Sequence, residues 1–113
     1  MEFQFQKDNP DLLKRKSLCE KIRRQNQDKV PIICEKAPKS TLEKINKTKY
    51  LVPGDFTVSK FKFIISERIQ LPKEQAFFLL VNGKTSINGD NLLSEMYEKY
   101  KDEKDGFLYI AYF

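Results

Sequence analysis

The chain has 113 residues, 40% apolar and 33% charged, which suits one globular domain with a modest core. A net charge of +5 points to an acidic partner, without choosing among nucleic acid, anionic lipid and an acidic peptide. The absence of histidine removes imidazole triads, imidazole general bases and most transition-metal sites.

The two cysteines, Cys19 and Cys34, are far apart in sequence and have no histidine to join them, so neither a disulfide framework nor a zinc site is expected. The longest apolar run, residues 76–81, is too short to span a bilayer. The start, Met1 to Gln6, lacks the basic and apolar regions of a secretory signal, which makes the cytosol the expected compartment.

In chain order, Phe3 and Phe5 alternate with polar residues, and periodicity leaves a helical turn and an extended arm equally open. After the turn signal Asn9-Pro10, residues 11–25 read as a helix. Leu12 or Leu13, Leu18, Cys19 and Ile22 form its apolar stripe, among many lysines and arginines. Lys29–Lys36 alternates as a strand, with Val30, Ile32 and Cys34 on one face and Pro31, Ile33 and Glu35 on the other. The second face is partly apolar and needs a cover, for which the preceding helix is the candidate. Pro31 needs an unpaired position or an irregularity in the ladder.

A second strand, 49–52, completes a hairpin. Pro53-Gly54-Asp55 turns the chain, and Thr57 caps a helix over 58–69. Val58, Ile65 and Ile69 form that helix's inner stripe; Phe61 and Ile64 widen it beyond one buried face. Leu71-Pro72 stops the helix. Residues 76–81 suit a strand closed by Asn82-Gly83. Residues 91–100 suit a helix with Leu92, Leu93, Met96 and Tyr100 inward, and 106–113 a final strand. The predicted class is α+β: a ubiquitin-like β-grasp with two N-terminal helices and a four-stranded mixed sheet. Residues 1–27 form a helical extension and 28–113 the β-grasp.

The blocks Lys21-Ile22-Arg23, Asp28-Lys29-Val30-Pro31, Glu35-Lys36-Ala37-Pro38-Lys39, Lys49-Tyr50-Leu51-Val52-Pro53 and Phe107-Leu108-Tyr109-Ile110-Ala111-Tyr112 occur in this order. They resemble the ubiquitin-like modifiers of autophagy, the family of the GABA-receptor-associated protein and the microtubule-associated light chains. The resemblance implies an adaptor that binds receptor and machinery peptides, with an aromatic residue and an aliphatic one three positions on. It also implies conjugation to phosphatidylethanolamine on the autophagosome membrane.

By this resemblance, a first peptide pocket is lined by Leu18, Ile22, Pro31, Ile33, Lys49, Leu51 and Phe107. A second is lined by Tyr50, Val52, Pro53, Phe56, Phe61 and Ile64. Lys29, Lys47, Lys49 and Arg68 are placed to meet acidic residues flanking the peptide. Leu18 stands where the family commonly has a polar residue. Without the resemblance, the same apolar residues read as ordinary core and the lysines as a solvated face. The run Phe77-Phe78-Leu79-Leu80 admits two readings, a second docking face for a helical partner or plain packing.

Family members end, after processing, in a glycine a few residues past the last strand. The sequence as given stops at Phe113, so in this form it is expected to bind peptides without being conjugated. A chain continuing to glycine is expected to meet the family's processing protease and conjugation enzymes. No cofactor or metal is expected, and a monomer is. The alternative is a non-conjugated basic module in which Lys14-Arg15-Lys16 and Arg23-Arg24 engage tubulin, RNA or anionic lipid. Nucleic acid is disfavoured because no base-reading or stacking motif is present. An enzyme is the weakest reading, for want of a base beside either cysteine, a phosphate loop or paired carboxylates.

Overall fold

The computed structural model describes residues 1–113. In chain order it forms α1 (Gln4–Asp8), α2 (Leu12–Gln25), β1 (Lys29–Lys36), β2 (Lys49–Pro53), α3 (Val58–Arg68), β3 (Leu79–Val81), β4 (Thr85–Ser86), α4 (Leu93–Tyr100) and β5 (Leu108–Tyr112). The strands lie side by side as β2-β1-β5-β3-β4. β1 and β5 run parallel, and the other neighbours are antiparallel. This is the expected β-grasp, with five strands rather than four. The fifth, β4, is two exposed polar residues with no alternation to announce it.

The sheet is the middle of three layers. Val30, Ile32 and Cys34 of β1 enter one core with Val58, Phe61 and Ile65 of α3 and Leu93 and Met96 of α4. Ile33 faces the opposite side, in a second cluster with Phe3, Phe5, Cys19, Phe107 and Tyr109. Strands covered on both faces lose their polar alternation, and the six interior residues of β1 are all buried.

The second cluster corrects the expected cover. Leu12, Leu13 and Leu18 of α2 are exposed, and only Cys19 on that helix is buried. Cys19 and Ile22 of α2 form part of the cover, and the two phenylalanines flanking the start of α1 supply the rest, Phe3 against Tyr109 at 5.0 Å and Phe5 against Phe107 at 5.2 Å between ring centres. The segment is thus helical, and Glu35 fixes it. The Glu35 carboxylate accepts the Gln4 and Phe5 N–H groups at 2.7 and 2.9 Å, serving a helix end that lacks its own side-chain cap.

Other boundaries follow from capping. Asp11 accepts the Leu13 and Lys14 N–H groups at the start of α2, and Thr57 accepts the Lys60 N–H at the start of α3. Leu92 is exposed, contrary to its expected inward position. It precedes α4, its backbone bridges Thr57, and its N–H is taken by Glu95 at 3.0 Å. β3 is shorter than expected, although Phe78 and Phe113 still exchange two backbone hydrogen bonds of 3.0 and 2.9 Å.

Candidate functional site at the β2 edge

β2 is an edge strand, paired only with β1. Their register sets Val30 opposite Val52, Pro31 opposite Leu51 and Ile32 opposite Tyr50. Flanking bonds fix which residues face inward: Cys34 N–H donates to Thr48 O at 2.8 Å, and Gly54 N–H to Asp28 O at 2.9 Å. Antiparallel ladders alternate bonded and non-bonded pairs. Tyr50 and Val52 therefore spend their backbone groups on β1, while Lys49 and Leu51 turn theirs to the open side. The same alternation accommodates Pro31. Its missing donor points away from β2, at a position before the β1–β5 pairing begins at Ile32.

Side chains alternate in step. Tyr50 and Val52 enter the main core, and Lys49 and Leu51 are exposed. Of the first expected pocket, Pro31, Ile33 and Phe107 are buried, Ile22 is half-buried, and Leu18, Lys49 and Leu51 are exposed. Of the second, Tyr50, Val52 and Phe61 are buried, and Pro53, Phe56 and Ile64 are half-buried. Ile33 and Phe107 of the first set and the buried members of the second lie in different clusters on opposite faces of the sheet, each with a partly open rim. Phe61, at 0% exposure and edge-on to Tyr50 at 5.6 Å, is a floor and not a wall.

Charge collects near this edge without partners. Lys47, Lys49 and Arg68 are exposed, Lys29 is half-buried, and none of the four forms a salt bridge. Lys47 Nζ sits 5.2 Å from the centre of the Tyr50 ring. Burial pushes the Tyr50 phenol up to about 12, and its buried hydroxyl has no hydrogen-bond partner. Burial also raises the Cys34 thiol well above its ordinary range, with Glu35 adding to the effect. Cys34 is a core residue. In the aromatic run, Phe77 and Leu79 are buried, Leu80 is half-buried and Phe78 is exposed.

A strut that no sequence pattern announces holds α2. Arg15 Nε donates to Asp105 at 3.0 Å, and its guanidinium also reaches Asn9 O at 2.8 Å. Asp105, buried before β5, further accepts the Tyr109 hydroxyl at 2.5 Å and the Phe107 N–H at 3.0 Å. Such full partnering offsets the cost of burying a carboxylate. It joins α2, which carries Leu18 and Ile22, to the sheet.

The sequence profile described as "Autophagy protein Atg8 ubiquitin like" matches residues 14–113. The chain belongs to the Atg8 family. It is 46% identical to the autophagy-related protein 8 of Pichia angusta over 112 residues, covering 99% of this chain and 87% of the relative. It is 48% identical to that of Vanderwaltozyma polyspora over 99 residues, covering 88% and 82%. The crystal structure of Trypanosoma brucei ATG8 superposes with a TM-score of 0.84 at 39% identity, covering 90% of this chain and 86% of that one. The ubiquitin-like fold and the place in autophagy follow from this membership. As in the sequence reading, no helix is long and apolar enough to cross a membrane.

Proposed function

We propose that this Atg8-family protein is a non-enzymatic autophagy modifier and adaptor. It takes aromatic-x-x-aliphatic peptides of receptors and machinery as an added strand on β2. Residues 1–27 act as an added layer on the β-grasp of residues 28–113 and supply the Leu18 and Ile22 wall of the first pocket. The observation that carries the reading is the pair of outward backbone positions, Lys49 and Leu51, set between half-buried apolar rims. Main-chain bonds to those positions give affinity, and the rims select alternate peptide side chains. The unpaired cations speed encounter with acid-flanked peptides.

Where the chain continues to a C-terminal glycine, conjugation to phosphatidylethanolamine would carry it from the cytoplasm to the autophagosome membrane. The amide step requires a chain end slim enough for the conjugating sites, which a terminal glycine provides.

Calorimetry with an aromatic-x-x-aliphatic peptide is expected to give roughly micromolar affinity, about −8 kcal/mol. Raising salt should weaken it only moderately, since apolar burial supplies much of the energy. Affinity that collapses by orders of magnitude with salt, and depends on Lys14 and Lys16, would favour a basic polyanion-binding module instead.

A further inference from the structure

A cleft of about 630 Å³ lies between α2 and the turn joining α4 to β5, and none of the β2-edge residues lines it. We propose that it binds a compact anion bearing several phosphomonoesters, of the inositol phosphate class, either free or as the headgroup of a phosphorylated lipid.

One wall is a single stripe of α2. Lys16, Cys19, Glu20, Arg23 and Arg24 recur at three- and four-residue spacing and so share a helix face. Facing them are Tyr97 and Lys101 at the end of α4 and Lys104 in the turn. The turn is tightly tied. Asp102 N–H donates to Phe107 O at 2.8 Å, and Gly106 N–H to Asp102 O at 2.9 Å. Asp102 Oδ1 accepts the N–H groups of Lys104 and Asp105 at 2.8 and 3.0 Å. Gly106 has φ +88°, and a β-carbon there would stand 3.0 Å from Cys19 Sγ, so the turn rests directly on α2. Both walls are therefore set before any ligand arrives.

Tyr97 forms the floor. Its hydroxyl donates to Gly106 O at 2.6 Å. Its ring carries the Arg23 guanidinium at 4.5 Å and Lys101 Nζ at 5.3 Å from the centroid.

The charge balance selects the ligand. Asp105 is consumed by Arg15, Tyr109 and the Phe107 N–H, and Asp102 accepts two amides of its own turn. Glu20 and Glu103 remain, against Lys16, Arg23, Arg24, Lys101 and Lys104, none of which forms a salt bridge. Cations gathered in one cleft repel one another, and a polyanion relieves that repulsion. Guanidinium forks and ammonium points together suit phosphate oxygens. With two cations already over the Tyr97 ring, charge density rather than base stacking is what the floor favours. The volume falls within the range of small-ligand sites.

The test is a titration of the isotope-labelled protein with soluble inositol trisphosphate, followed by amide shifts. In parallel, sedimentation uses phosphatidylcholine vesicles with and without a phosphorylated phosphatidylinositol. Saturable shifts at Cys19, Tyr97, Lys101 and Gly106 are expected. Lys101→Gln combined with Lys104→Gln, both exposed, should weaken binding at least about tenfold by removing charge-assisted contacts. The fold is checked by the unchanged remainder of the spectrum, and Arg24→Gln gives a second, independent loss on the other wall. Binding of the soluble compound identifies a free ligand. Binding to phosphorylated vesicles alone, lost in the same variants, identifies the headgroup. Either result supports the site. The proposal is overturned if neither probe binds, or if binding is equally reduced by the control Lys60→Gln with Lys62→Gln on α3.

Discussion

The two edges of the sheet are protected in different ways. At one, β4 is two exposed polar residues behind a tight Asn82-Gly83 turn, too short to template another strand. At the other, β2 is five residues long and turns the backbone groups of Lys49 and Leu51 outward between apolar rims. What guards β2 is charge, since Lys47, Lys49 and Arg68 are exposed and unpaired there. Shortness is permanent, whereas an acidic partner can neutralise charge. An edge guarded by lysine is closed to indiscriminate pairing and open to a peptide with the right flanks.

The sharpest way to break this contrast is to remove backbone donors one at a time along β2. Tyr50→Pro deletes an inward ladder bond together with a buried ring and should cost about 3–5 kcal/mol of stability. Leu51→Pro deletes an outward donor only, so most of the melting temperature should remain while peptide binding is lost. Equal destabilisation by both prolines would show that β2 lacks the alternation described.

A smaller effect separates rim from floor. Leu51→Ala should leave the fold intact and weaken the peptide by about 1–3 kcal/mol, the range of interface hot spots. Phe61→Ala should instead register as lost stability, about 3–5 kcal/mol for a buried aromatic. Ser86→Ala at the opposite edge should change neither quantity. Calorimetry and thermal melts on the three variants distinguish the two edges.

A further effect is one of pH and reports on the main core, to which Tyr50, Tyr97 and Tyr112 belong. Burial raises the phenols of Tyr50, Tyr97 and Tyr112 to about 12, above their ordinary value near 10. The folded state thus holds protons that the unfolded chain releases. That contribution is fully present below pH 10 and is lost as pH rises from about 10 to about 12. Melting temperature should fall across that window as tyrosinate absorbance grows, and a flat profile would contradict the burial of these rings.

Much of the fold could be read locally. Thr57 and Pro72 bracket α3, and β1 stands out by its unbroken apolar character once both faces are covered. The β2 alternation was visible in Lys49-Tyr50-Leu51-Val52, although which residues point outward needed the register with β1. Other features depended on partners remote in sequence. The α2 leucines looked like a core stripe, yet Leu13 is 73% exposed, because Phe3 and Phe5 had already filled the sheet face. Arg15 meets Asp105 across 90 positions, a separation at which a single sequence carries no periodic trace. The basic stripe of α2 is legible as charge, but the cleft exists only where the α4–β5 turn closes over it.

If β2 receives a peptide through the backbone of Lys49 and Leu51, as proposed, those two amides must change on binding. Amide hydrogen exchange, measured residue by residue with and without an aromatic-x-x-aliphatic peptide, tests it directly. Peptide is expected to slow exchange at Lys49 and Leu51, with Tyr50 and Val52 already protected in the free protein and Thr85 and Ser86 unchanged. Saturating peptide that leaves Lys49 and Leu51 exchanging at their free rates would contradict it.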